Sequence, residues 1–256
     1  MGHTPVVTAK RSTLLERAID DYSKARLHAV STPHAGDWLT TIPSAALGMR
    51  LDNESIRIVI SFRLGCRVCS PFLCACGSQM DPRGAHSLAC RKSAGHQSRH
   101  ATVNEVVCKA FGCAGIPVVK EPTGLIPGSN LRPDGATIIP WVGGRCLAWD
   151  VTCPDTVAAS YLTSCATSAG AAAENADSMK CQKYSQLSSS HSFIPLVFET
   201  FGPLSEASVS VLNSLGGRII SKTGDPRERM FLYQHLSMAV QRGNVACFVN
   251  SLPHER

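Results

Sequence analysis

Apolar positions recur with helical spacing over residues 12–30, where Leu14, Leu15, Ala18, Ile19 and Tyr22 share one face. Pro33 to Gly36 break that pattern. It resumes over Asn53–Leu64, with Asp52 or Asn53 available as the N-cap. After residue 96, Val103, Val106, Val107, Ala110 and Phe111 form a further helical stripe. Two short runs, 134–141 and 145–152, flank Gly143-Gly144 and predict a β-hairpin. An Ala-rich stretch over 156–187 predicts helix, interrupted near Gly170. Ile194, Leu196, Val197 and Phe198 mark a strand over 193–201. Helices over about 205–215 and 226–250 close the chain. The order α-β-β-α-β-α predicts an α/β sandwich on a mixed sheet.

The stretch from Cys66 to Gly95 differs in kind, being rich in Cys, Gly and Pro and without periodicity. It is too short for a core of its own, and a bound metal would hold it together. Cys74-Ala75-Cys76 precedes His86, and Cys90 follows His86 after three residues. These four soft or borderline donors can wrap a tetrahedral Zn²⁺, with Gly77, Pro82 and Gly84 supplying the turns. Cys66 and Cys69 form a Cys-x₂-Cys pair that competes as ligands. The alternative is a set of buried free thiols. A zinc here would be structural, and a small knuckle of this kind more often grips nucleic acid than performs chemistry.

Composition narrows the setting. An apolar share of 44% with 17% charged residues belongs to a folded chain, and 256 residues allow one sizeable domain plus attachments. The net charge of +6 favours an anionic partner only mildly. No apolar run reaches the roughly eighteen residues of a transmembrane helix, and residues 1–11 lack the apolar core of a secretory signal. The twelve scattered cysteines therefore read as reduced thiols of an intracellular protein.

The hairpin carries the candidate chemistry. Asp134, in Arg132-Pro133-Asp134, begins one strand, and Asp150, in Trp149-Asp150-Val151-Thr152, ends the next, so both lie at one end. Trp149 and Val151 point opposite to Asp150 and are expected in the core, leaving the acid facing a cleft. Two aspartates suit Mg²⁺ or Mn²⁺, which bind one or two carboxylates plus phosphate and water. On the following helix, Asp177, Lys180 and Tyr184 share a face, with Lys183 nearby, and a lysine can hold the attacking water or neutralise charge. Arg99 and His100, before the first helix of this region, are candidates for phosphate contact, as is Arg132. Glu105 and Glu199 are weaker candidates for a third acid. Each acid alone reads more readily as a turn or strand-end residue, and the lysines without the hairpin as a solvated face.

Together these residues resemble the C-terminal region of non-LTR retrotransposon proteins that carry a restriction-like endonuclease. That pattern runs through Cys74, Cys76, His86 and Cys90, then Arg99-His100, Pro133-Asp134, Asp150-Val151, and Lys180 to Lys183-Tyr184. Phe193–Gly202 looks like the core strand that follows. Trp38-Leu39, Ile42-Pro43-Ser44, Leu47-Gly48 and Arg63-Leu64-Gly65 look like the linker preceding the knuckle. The resemblance implies a helical linker at 1–70, a CCHC-type zinc knuckle at 71–95 and a nuclease of the PD-(D/E)xK fold at 96–256. It implies a Mg²⁺-dependent endonuclease that nicks target DNA for target-primed reverse transcription in the nucleus. Asp134 and Asp150 would bind the metal, and Lys180 or Lys183 would assist the nucleophile. Tyr184 and His100 would position the helix or the phosphate. The partners implied are DNA, the element's RNA and an upstream reverse-transcriptase portion. Thr152 stands where the nuclease consensus has lysine, which moves that role to the following helix. No Tyr/Phe-x-Asp-Asp polymerase signature is present, so the chain is expected to be a C-terminal piece of an element or a relic expressed alone. The competing reading is a catalytically inactive nucleic-acid-binding zinc protein.

Overall fold

The computed structural model describes residues 4–253. Three helices come first: α1 (Thr4–Arg17), α2 (Asp21–Val30) and α3 (Asn53–Leu64). A short hairpin, β1 (Phe72–Leu73) and β2 (Gln79–Met80), and the five-residue α4 (Ala85–Ala89) form the cysteine-rich segment. Then follow α5 (Gly95–Cys113), β3 (Val118–Lys120), β4 (Gly135–Thr137), β5 (Leu147–Thr152), α6 (Leu162–Thr167), α7 (Ala171–Lys183) and β6 (Ser192–Val197). The last two helices are α8 (Glu206–Thr223) and α9 (Glu228–Val249). The protein is α/β, and its four-stranded sheet runs β3-β4-β5-β6. Only the β5–β6 pair is parallel, so the sheet is mixed.

The pleat of β5 divides the core. Leu147, Trp149 and Val151 pack with Val103, Val107 and Phe111 of α5 and with residues of α8 and α9. Phe111 stacks on Trp149 with ring centroids 4.8 Å apart. On the opposite face, Ala136 of β4 and Ala148 of β5 lie under Tyr184, Leu187 and Ile126. A third cluster joins Ile58 and Phe62 of α3, Val68 and Leu88 of the cysteine-rich segment, and Phe248 of α9. The segment is thus packed against the N-terminal helices as well as folded on itself.

The departures from the predicted elements have local causes. The helix expected over 12–30 is two helices, because Asp20 accepts the Ser23 N–H at 2.7 Å and caps α2, leaving Ile19 96% exposed. Thr137 Oγ1 accepts the Leu147 N–H and donates to the Ile139 carbonyl, so a side chain ends the β4–β5 ladder early. Over 156–187, the Asp155 and Thr156 side chains take up backbone N–H groups, and regular helix starts only at Leu162. Gly170, at φ +81°, then caps α7. β6 ends at Val197 rather than 201, since Glu199 N–H turns back to the Pro203 carbonyl. α8 runs past Gly216-Gly217 to Thr223, where a stop was expected at 215, with the Arg229 stem packed on Gly216. The edge strand β3 was not anticipated.

α5 and α9 cross unusually closely, and two glycines permit it. A Cβ at Gly95 would stand 2.4 Å from the Cys247 backbone nitrogen, and one at Gly243 would stand 2.3 Å from Arg99 Cγ. Gly95→Ala must push apart two helix backbones, so we expect it to destabilise the fold by roughly 2–3 kcal/mol. Gly112→Ala in the same helix meets nothing within 4 Å and serves as the control, expected neutral or slightly stabilising. Chemical denaturation of the two variants separates them, and equal midpoints would show that the crossing has room to spare.

Candidate functional site

The cysteine-rich segment builds a four-donor pocket. β1 and β2 pair Phe72 with Met80 and Leu73 with Gln79, and the turn between them carries Cys74 and Cys76. Gly77 N–H donates to the Cys74 carbonyl at 2.8 Å and Cys74 N–H to the Ser78 carbonyl at 2.9 Å. Gly77 has φ +91°, which glycine adopts without strain. Asp81 Oδ2 accepts the His86 N–H at 3.1 Å, seating α4 so that His86 and Cys90 meet the turn. The donor atoms of Cys74, Cys76, His86 and Cys90 all lie within 4.8 Å of one another. Cys74 Sγ and Cys90 Sγ are 3.7 Å apart, close to the edge of a tetrahedron built on zinc–sulfur bonds of about 2.3 Å. Cys76 Sγ lies 3.1 Å from His86 Nε2. Hydrogen bonds from Ser78 hold the Cys76 thiol down to about 6, while burial pushes Cys90 up to about 11.

This Cys₃His group can hold a metal ion such as zinc. Its competitors are not among the four donors: Cys66 is exposed, and Cys69, packed against the same cluster, turns its Sγ to the Asp81 carbonyl at 3.5 Å. Co²⁺ added to the reduced chain should therefore bind one ion per protein and give the absorption of a tetrahedral thiolate site. Cys90→Ser should lose it, and Cys66→Ser and Cys69→Ser should keep it. Equal Co²⁺ spectra from wild type and Cys90→Ser would remove the site.

The second constellation is acidic and lies at one end of β4 and β5. β4 pairs with β5 through Gly135↔Trp149 and Ala136↔Ala148. Where that ladder stops, Asp134 Oδ2 accepts the Val151 N–H at 2.6 Å, placing its carboxylate beside the backbone of Asp150. His100 Nε2 meets the same oxygen at 2.9 Å. Asp150 is 4% exposed. Its Oδ1 accepts the Tyr184 hydroxyl at 2.8 Å, and its Oδ2 is ion-paired with Lys180. The Tyr184 hydroxyl also lies 2.8 Å from the Arg132 carbonyl, so it ties α7 to both acid-bearing segments. The Asp134 bond raises the His100 imidazole above its usual value, aided by the charges of Asp134 and Asp150 and opposed by burial and Lys180. Burial, then the bond to Asp150, raises the Tyr184 phenol.

The sequence candidates thus divide. His100, Asp134, Asp150, Lys180 and Tyr184 converge. Lys183 lies over the Tyr184 ring, with its Nζ 4.8 Å from the centroid, and makes no bond to either acid. Arg132 is exposed, with Glu121 3.7 Å from its guanidinium. Arg99 was expected to contact phosphate and does not face outward: it is 1% exposed and donates to Asn244 Oδ1 and the Cys153 carbonyl. Asp150 faces Tyr184 and Lys180 rather than the open cleft anticipated. Glu105 is paired with Lys120 and Lys109 at the surface.

Asn104 was missed. Its Nδ2 donates to the Asp134 carbonyl at 3.3 Å and its Oδ1 accepts the Trp149 indole N–H at 2.9 Å, so it braces both strands from α5. The available signal was its position one helical turn after His100.

Glu199 belongs to a different buried network. Its Oε2 accepts the Thr156 hydroxyl at 2.7 Å and its Oε1 the Ala173 N–H at 2.8 Å. Nearby, Asp155 Oδ1 accepts the Thr200 hydroxyl at 2.7 Å. Burial pushes Glu199 up to about 7 and Asp155 up to about 6. A raised native pKa favours the protonated acid, so its stabilisation is complete below the unfolded value of 4.5 and is lost as pH rises through about 7. The stability advantage of wild type over Glu199→Gln should therefore shrink from pH 4.5 to pH 8, by on the order of 3 kcal/mol. Urea midpoints across that range test this, and a constant difference would refute a neutral Glu199.

Comparison with known families and with curated proteins gives no match: no family model fits this chain, and no curated protein is similar to it. Among the described residues, no helix is long and apolar enough to cross a membrane.

Proposed function

We propose that this protein is a metal-dependent DNA endonuclease of the PD-(D/E)xK fold, of the kind that its motifs resemble in non-LTR retrotransposons. The observation that carries this reading is that Asp134, bonded to His100 and the Val151 N–H, and Asp150, bonded to Tyr184 and Lys180, stand at the same end of β4 and β5. The donor set suits Mg²⁺ or Mn²⁺: two carboxylates come from adjacent strands, and Asp134 Oδ1 has no protein partner among the described residues. Bound by Asp134 and Asp150, the ion would stabilise negative charge on the phosphate and acidify the attacking water.

The chain's own groups do the rest. Lys180 keeps a positive charge at Asp150 Oδ2, where it would neutralise a non-bridging phosphate oxygen or hold the attacking water. Its place on α7 fits the absence of lysine at Thr152. Tyr184 fixes the Asp150 rotamer through Oδ1, and His100 fixes Asp134. Lys183 and Arg99 have no part in this mechanism, and Arg132, exposed beside Asp134, is placed to contact phosphate. Cys74, Cys76, His86 and Cys90 would hold a structural zinc, and the knuckle would add nucleic-acid contact. On this reading the nick exposes a 3′ hydroxyl for reverse transcription by a polymerase portion upstream in the element, with the element's RNA as template, in the nucleus.

One observation favours a rival, a nucleic-acid-binding zinc protein without activity: Asp150 is buried and both its oxygens are engaged. Nicking of supercoiled plasmid with Mg²⁺ or Mn²⁺ decides between them. We expect wild type to nick, and Asp134→Ala and Asp150→Ala to lose on the order of 100-fold or more. Salt-sensitive DNA binding without nicking by any of the three would establish the binding protein instead.

A further inference from the structure

The acid cluster has a neighbour that no motif announced. Residues 121–134 leave the sheet after β3 and return to begin β4, and Glu121 N–H donates to the Asp134 carbonyl at 3.1 Å, so the loop is rooted at the acid itself. Within it lies an open pocket of about 350 Å³ lined by Thr123, Gly124, Ser129, Asn130, Leu131 and Arg132. That volume is within the roughly 300–1,000 Å³ of small-ligand sites. Its wall is tied to the acids, because the Arg132 carbonyl lies 2.8 Å from the Tyr184 hydroxyl that donates to Asp150.

The lining selects the ligand. Leu131 packs against the cluster containing Ala136 and Tyr184, which gives the pocket a fixed apolar side. Among the described residues, no hydrogen bond engages the Asn130 carboxamide or the Thr123 hydroxyl, leaving a donor–acceptor pair and a hydroxyl unspent. Arg132 brings the one charge in the lining, and Glu121, outside the lining, stands 3.7 Å from its guanidinium. An apolar wall, a free carboxamide and a guanidinium match the three parts of a nucleotide: base face, base edge and phosphate. Arg132 is two residues from Asp134, at most about 7 Å along the backbone, which is one or two nucleotide steps along a strand.

We infer that this pocket is a nucleotide subsite that takes the DNA nucleotide next to the scissile phosphate, with Asn130 on the base edge and Arg132 on the phosphate. The inference rests on the nuclease reading for the word scissile, and on the pocket alone for nucleotide binding.

The test uses the full chain in two arms. In the first, the Asn130 side-chain amide, assigned from its loss in Asn130→Ala, is followed by NMR during titration with 5′-phosphorylated deoxydinucleotides without divalent metal. We expect a saturable shift, weakened about tenfold in Arg132→Ala. In the second, nick positions are mapped on plasmid DNA. Asn130→Ala should change the base preferred beside the nick, and Arg132→Ala should raise KM about tenfold. An amide unmoved by every deoxydinucleotide, or moved only by ribodinucleotides, overturns the subsite even if the protein nicks DNA. A shifting amide in a protein that nicks nothing upholds the pocket as a nucleotide site and defeats the nuclease reading instead.

Discussion

The structure hangs on one buried guanidinium. Arg99 is 1% exposed, and removing such a charge from water costs several kcal/mol unless acceptors and counter-charge meet it. Here Asn244 of α9 and the carbonyl of Cys153, just past β5, take its two terminal nitrogens. Asn244 in turn donates to the Thr200 carbonyl at 2.7 Å, and the Thr200 hydroxyl donates to Asp155, whose charge faces Arg99. One ion thereby joins α5, α9 and the chain beyond β5 and β6. Gly243 provides the room for its stem, which is why α9 can lie so close.

His100 follows Arg99 and points the other way, to Asp134. Anchoring α5 at Arg99 therefore also fixes the partner of the first acid. The second acid is fixed from β5, three residues before the carbonyl that Arg99 binds. Between them the Val151 N–H bonds a carboxylate where a longer β4 would have offered a carbonyl. The β4–β5 ladder is short because side chains replace its outer bonds at both ends, Thr137 at one and Asp134 at the other. Asp134 can approach Asp150 because the ladder ends there.

What was legible in the sequence follows from this. The alternation of Trp149 and Val151 against Asp150 identified the strand and the face that packs on α5, since a two-residue period leaves few alternatives, but not that the other face is buried too. Lys180 and Tyr184 could be placed together by their spacing on α7. Arg99 could not, because a charged residue beside histidine near a helix start reads as surface until its partners, 145 residues away in the case of Asn244, are known. Nor could the strand β3, whose three residues carry no period of their own, or the choice between Lys180 and Lys183, which differ by a rotation about one helix. The four zinc-ligand candidates were readable as a set, but the exclusion of Cys69 depended on its facing the Asp81 carbonyl.

Two carboxylates held this near each other need positive or donating groups around them. Four are present, and they differ in freedom. The Val151 N–H is main chain, and Tyr184 is buried at 1% exposure, so neither can withdraw without disturbing the fold. His100 and Lys180 reach the acids from the surface, with side chains 40% and 25% exposed. On the nuclease reading this asymmetry is functional. Tyr184 and Val151 would set the acid geometry, and Asp134 and Asp150 would hold a divalent cation only where Lys180 yields Asp150 Oδ2 to it. A lysine released in that way remains on α7 beside the acids, with its ammonium free for phosphate. On that reading the buried Asp150, engaged at both oxygens, would be the metal-free form of the site.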